Sequence, residues 1–243
     1  GWREKSKRRF LETSNGLVEE MGIFAVTKEN STHYYLVVAS LMDCASRLGL
    51  LENGQDIGQK IRSLVSLLAY KSGTLPAFGD SNSESRLMKT VNTNWTEGFW
   101  HMPWAGFFIA NLRCGGKFVS FRSIFTNATR THKHEDSGSF TLESGGVEWF
   151  TDGGFYSYDN ELQSEYLTSA YSHNSIVSDL NWEEEILISS SSVSTNKTHE
   201  FEVSAWANES NGFSRKFTFF PEDQRIVVQE NCTPKLSQTR VVI

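Results

Sequence analysis

Residues 106–123 read GFFIANLRCGGKFVSFRS, and their pattern sets the fold class. GFFIANLR and KFVSFRS are dominated by aromatic and β-branched residues, and the glycines at 115 and 116 between them mark a turn. The texture persists downstream in SFTLES, VEWFTD, NSIVSD, ILISSSSVS, HEFEVSAWA, FSRKFTFF and RIVVQEN, and the chain ends on a further apparent strand, TRVVI. Gly145-Gly146 and PEDQ punctuate these runs. Short antiparallel strands in succession predict a β-sandwich.

Before about residue 100 the periodicity is helical. Val37, Leu41, Cys44 and Leu48 step by four, three and four, ending at Gly49, and Ile57, Ile61, Leu64 and Leu68 repeat those steps. This predicts two amphipathic helices in an antiparallel hairpin linked by LLENGQD, with Cys44 buried in the stripe. A third helix is expected over roughly residues 2–12. Helices followed by strands, without alternation, indicate α+β organisation rather than a parallel sheet. The expected domains are residues 1–100, including a connection from LPAFGDSNSESR to Trp100, and residues 101–243.

The 243 residues are 38% hydrophobic and 21% charged, as in a globular protein. A net charge of −6 disfavours nucleic acid as a partner, and no apolar run is long enough to predict membrane insertion. The basic run REKSKRR, Arg3–Arg9, reads as either a local anion patch or a solvated helix face. Cys44, Cys114 and Cys232 form no CxxC, so no disulfide framework is expected. The chain begins without Met, in apparent mid-helix, and reads as a fragment of a longer protein.

Polar residues concentrate in THKHEDSGSFTLESGGVEWFTDGG (131–154) and SAYSHNSIVSD (169–179). His132 and His134 would share one face of an extended segment. Asp152 follows His134 by eighteen residues, and His173 follows later. Such nitrogen and oxygen donors from separate segments suit a divalent transition metal such as zinc, with the remaining histidine placed for proton chemistry. A two-residue Gly145-Gly146 turn would set Asp152 opposite Ser139, so a shared ion requires HEDSG to bend back toward the sheet, which Gly138 permits. Asp136 either supports a histidine or caps the following turn. Trp95, Trp100 and Trp104 either pack in the core or stack on a ligand.

Taken together, His-x-His-x-Asp, Ser-Phe-x-Leu, a glycine turn, Asp-x-Gly-x-Tyr-x-Tyr and Ala-x-x-His-Asn resemble the signature of the heparinase II/III-like polysaccharide lyases. ENSTHYYLVV, Glu29 to Val38, resembles that family's Glu-x-Ser-x-x-Tyr-His segment. The resemblance implies the last helices of an α/α toroid followed by an antiparallel β-sandwich. It implies a structural Zn2+ on His134, Asp152 and His173, with Tyr34 and His132 as the catalytic acid-base pair. Tyr34 also sits three residues before Val37, where a half-buried core tyrosine would look the same.

Arg122, Arg130, Lys133 and Tyr35 are the candidate contacts to an acidic polysaccharide. Tyr35 replaces a histidine common in the family, and Tyr171-Ser172 separates Ala170 from His173. The implied reaction is β-elimination at a uronate, in a periplasmic or secreted setting, with the carboxylate-neutralising asparagine upstream of Gly1. A non-catalytic glycan-binding or assembly protein and a metal-dependent glycan hydrolase are the alternatives.

Overall fold

The computed structural model describes residues 1–14, 16–82, 93, 95–126, 131–175, 187–208, 211–233 and 236–242. Helix α1 (Trp2–Ser14) precedes a hairpin of β1 (Val18–Met21) and β2 (Phe24–Thr27). The hairpin leads into α2 (Thr32–Arg47) and α3 (Gly54–Leu68). A first antiparallel sheet has the order β3 (Gly98–Met102), β4 (Phe107–Cys114), β5 (Lys117–Ile124), β6 (Phe140–Ser144), β7 (Val147–Phe150). In the second, β8 (Leu187–Ser194), β9 (His199–Asn208), β10 (Asn211–Phe220), β11 (Arg225–Thr233) and β12 (Leu236–Val242) meander in chain order. β3 straddles residue 100, where the change of texture is read from the sequence. No helix among the described residues is long and apolar enough to cross a membrane.

The first sheet is the middle of three layers. Phe108, Ala110 and Leu112 of β4 pack with Phe201, Val203, Phe217 and Phe219 of the second sheet. The alternate residues Phe107 and Ile109 pack with Tyr35, Val38, Ile61 and Leu64 of the helices. Period-two alternation with both faces covered produces the nearly continuous apolar run that opens the strand region. Phe108 and Phe201 stack at 4.2 Å across the sandwich. Each fully buried phenylalanine contributes about 1.5–3 kcal/mol.

The α3 stripe faces inward as expected, but the α2 stripe does not. Tyr35, Val38, Ala39, Met42 and Ala45 are buried, whereas Val37, Leu41, Cys44 and Leu48 are exposed. The segment YLVVASLM is apolar nearly all round, so periodicity alone did not single out the inward face.

Arg122, expected at a glycan surface, is instead wholly buried. From β5 it donates through Nε to Leu68 O and through Nη2 to Ala69 O, each at 2.7 Å, and through Nη1 to Asn111 Oδ1 at 2.8 Å. It thus caps the end of α3 and joins helices to sheet. Burial pushes its pKa down to about 10, still charged at neutral pH. Tyr35 is likewise fully buried, at 6.3 Å ring to ring from Phe107, so it cannot meet a glycan either.

Candidate metal and acid-base site

The site forms where α2 begins, beside the loop between β5 and β6. Thr131 N donates to Lys28 O at 3.0 Å and Asn30 N to Thr131 O at 2.9 Å. The connection after α3 passes alongside: Asp80 N donates to His132 O and Phe155 N to Ser81 O. Two glycines permit this approach. A Cβ on Gly79 (φ +56°) would lie 2.5 Å from His132 O, and one on Gly154 (φ +60°) 2.5 Å from Ser81 O. No side chain fits at either place, and both need a left-handed backbone.

The His-x-His segment is not extended. His132 has φ +54°, uncommon for a residue with a Cβ, and the turn sends the two imidazoles to different partners. His134 enters a buried pocket with Asp152 and His173, and one ligand atom from each lies within 4.8 Å of the others. The HEDSG bend is present: Ser139 N donates to Asp136 O, and Gly138 N to Ile124 O. A bulge at Leu142/Glu143 pairs Leu142 with Phe150, shifting by one residue the register inferred from the glycine turn. β7 stops at Phe150, so Asp152 belongs to an irregular segment rather than a strand.

Each histidine in the pocket uses one nitrogen on a carboxylate. His134 Nε2 is 2.8 Å from Asp80 Oδ1, and His173 Nδ1 is 2.9 Å from Asp152 Oδ2. The remaining nitrogens, His134 Nδ1 and His173 Nε2, are buried with no hydrogen-bond partner among the described residues. An imidazole donating one N–H to a carboxylate directs the other nitrogen's lone pair outward, the arrangement of a metal ligand. A donor set of two buried imidazoles and a carboxylate fits a divalent cation, and a buried nitrogen left unpaired is costly.

Burial works to lower the His173 pKa, but the hydrogen bond and charge of Asp152, aided by Asp136, outweigh it and raise it. Burial works to raise that of Asp80, but hydrogen bonds to His134 and Tyr158 prevail and lower it. Gln163, on the π-helical turn Leu162–Leu167, closes the pocket with Nε2 3.3 Å from Asp80 Oδ1.

His132 and Tyr34 form a second cluster next to this one. Their rings stack at 4.0 Å and 6°. Ser31 caps α2 by accepting from Tyr34 N, which sets Tyr34 in the first turn. His132 Nδ1 lies 2.6 Å from Glu29 Oε2, leaving Nε2 as the nitrogen not engaged by Glu29. The Tyr34 hydroxyl is 3.2 Å from that of Tyr158, which donates to Asp80 Oδ2 at 2.9 Å. Since Tyr158 has one proton and gives it to Asp80, Tyr34 is the donor between the two phenols. Burial of its hydroxyl end, then the bonds to Tyr34 and Asp80, raise the Tyr158 pKa and keep it protonated.

Asp136 is buried, and its hydrogen bonds run to Asn30 Nδ2 and Lys133 Nζ rather than to a histidine. Lys133 also donates to His134 O and Ser137 Oγ, which directs its ammonium inward, away from a glycan. Arg130 lies outside the described residues. Trp95 donates to Ser120 Oγ, and Trp100 and Trp104 pack on the helical core.

Sequence reasoning gave Glu29, Asp80, Tyr158 and Gln163 no role. Glu29 and Tyr158 stood inside recognisable motifs. Asp80 stood in a connection, where nothing in its spacing pointed to His134.

Comparison with known proteins bears on residues 95–237, which match the model of the heparinase II/III-like C-terminal domain. A heparinase III gene product has a similar structure, with a TM-score of 0.74 and 15% identity over 95% of this chain and 41% of that one. The heparan sulfate lyase HepC from Pedobacter heparinus matches with a TM-score of 0.68 and 14% identity, over 95% and 41% of the two chains. A further heparinase III matches at 0.68 and 14%, over 93% and 42%. The chain therefore spans about two fifths of the length of these structures. No curated protein sequence matches it.

Proposed function

The chain belongs to the heparinase II/III-like family through its C-terminal domain, and on that premise we propose that it carries the acid-base end of a polysaccharide lyase. The substrate class is a uronic-acid-containing glycan. The observation that carries this reading is the stacked Tyr34–His132 pair, with Glu29 behind the imidazole and Tyr158 behind the phenol.

In β-elimination the C5–H bond of the uronate breaks, its electrons form the C4–C5 double bond, and the C4–oxygen bond opens. The leaving oxygen then takes a proton. Tyr34 and His132 stand side by side to act as base and acid, in an order set by the stereochemistry at C5. A free phenol titrates near 10 and needs help to act as a base. As the acid partner His132 would carry a proton, and its positive charge, stacked on the Tyr34 ring at 4.0 Å, would favour the phenolate, while the bond sequence Tyr34 to Tyr158 to Asp80 orients the hydroxyl. Glu29 accepts from His132 Nδ1–H and so presents Nε2 to the substrate.

His134, Asp152 and His173 would hold a structural zinc. The ion would join the two imidazoles and the carboxylate and fix the loop from which His132 projects. The toroid reading draws support from the outer side of α2, where Val37, Leu41 and Leu48 form an apolar face suited to further helices.

The test is incubation with uronate polymers, heparan sulfate first because HepC is named for it, then chondroitin and alginate. Elimination leaves an unsaturated uronate that absorbs in the ultraviolet, whereas hydrolysis leaves a saturated end. Unsaturated product that disappears in Tyr34→Phe supports the proposal. Saturated product lost on chelation would establish the hydrolase instead, and tight glycan binding without cleavage would establish the binding protein.

A further inference from the structure

The two loops carrying His134 and His173 hang outside the strand ladders, yet a charge from the opposite sheet reaches both. We infer that Arg215 of β10 is the positioning residue of the metal cluster. This inference rests on the reading of His134, Asp152 and His173 as ligands.

Arg215 is only 3% exposed and lies among Phe213, Phe217 and Phe219, all on the inward face of β10. Its Nη1 donates to Gly138 O at 2.6 Å and to Asn174 O. Gly138 closes the bend that begins at His134, and Asn174 directly follows His173. Its Nε and Nη2 donate to Oε1 of Glu230, the residue opposite it on β11, at 3.1 and 2.5 Å. The guanidinium plane thus has one edge fixed by a carboxylate and the other spanning two backbone carbonyls, a geometry that a single ammonium cannot reproduce.

Stability alone does not account for a charge here. A buried ion pair is often matched or bettered by apolar residues of the same volume, and the neighbours of Arg215 on this face include Phe201, Val203, Phe217 and Val228. What an apolar side chain could not do is hold Gly138 O and Asn174 O together. The contact is close elsewhere too, since a Cβ on Gly138 would lie 3.3 Å from the Phe213 ring. Asn174 completes the assembly by donating to Phe140 O and Thr151 O, next to Asp152. Arg215 therefore acts through the backbone on the spacing of His134 and His173, and touches neither the ion nor the substrate.

The experiment compares wild type, Arg215→Lys and Glu230→Gln as the whole chain. Zinc affinity is measured by competition with a chromophoric chelator, and hydrogen exchange is measured on chelator-treated protein. Arg215→Lys is expected to weaken zinc binding about 10–100-fold, the range for loss of outer support at metal sites. Exchange should quicken at residues 134–138 and 173–175 while the β9–β11 amides keep wild-type protection. Wild-type zinc affinity in Arg215→Lys would overturn the inference, as would exchange quickening equally throughout the second sheet, the mark of a general structural role. If Arg215→Lys does not fold, Glu230→Gln decides on the same two readouts, with a smaller loss expected. Should wild type take up no zinc, the metal reading fails by itself. Loop exchange in the metal-free variants then decides the positioning role, unchanged protection at 134–138 and 173–175 overturning it.

Discussion

Two groups of histidines in this molecule differ in what surrounds them: His134, His173 and His199 are buried, and His101 is half-buried. At the edge of the sandwich, His101 of β3 and His199 of β9 meet only hydroxyls and rings. His101 Nε2 is 2.8 Å from Ser190 Oγ, His199 is bonded to Ser192 and Ser194, and Phe99 stacks on His199 at 3.8 Å. Burial lowers the pKa of both, and they pack as neutral aromatic groups. In the pocket, His134 and His173 each face a carboxylate, and for His173 that carboxylate overturns the effect of burial. Burial silences an imidazole, whereas burial beside an anion fixes its tautomer and readies the other nitrogen for a ligand.

The comparison breaks most visibly in turnover. Tyr34→Phe or His132→Ala should reduce formation of unsaturated product by about 10²–10⁴-fold, the usual worth of a positioned acid or base. His199→Phe should leave the rate unchanged. An equal loss in His199→Phe would mean that the two groups do not divide as described.

Metal binding comes next. Asp80→Asn should weaken zinc affinity by about 10–100-fold, because it removes the carboxylate that orients His134. Calorimetric titration would read the change, and wild-type affinity would remove Asp80 from the site.

The pH dependence of stability is smaller and distinguishes the groups by sign. His101 and His199 have depressed folded pKa values, so the unfolded chain binds more protons. Their contribution is complete above the unfolded value near 6.5 and is lost as pH falls through the depressed folded values, with a slope of up to about 1.4 kcal/mol per pH unit for each. For His173 in metal-free protein the folded pKa is raised. Its contribution is present below the unfolded value and is lost as pH rises through the folded one. Urea denaturation of chelated protein between pH 5 and 8 tests both, with His199→Phe expected to flatten the acid side only.

Smallest of all, Ser192→Ala should cost about 1 kcal/mol of stability by removing one partner of His199, with zinc affinity untouched. Any effect on the metal would show coupling between the two groups across the sandwich.

Much of this was legible in the chain itself. Aromatic and β-branched runs between glycine turns specified the strands, because a strand's pattern is local and repeats every two residues. The α3 stripe and the order of His132, His134, Asp152 and His173 were legible for the same reason: short-range spacing and residue type carry them. Tertiary structure alone decided the rest. The inward face of α2 was settled by packing on α3 and, through Tyr35, on Phe107 of β4, since its sequence is apolar nearly all round. Arg122 and Tyr35 looked like surface groups until neighbours covered them. The bulge at Leu142/Glu143 moved Asp152 by one residue with no mark in the sequence. Asp80 and Arg215 reach the site from segments 54 residues before and 81 residues after His134. A hydrogen bond across such separations depends on where the layers place each backbone, and no local pattern encodes it.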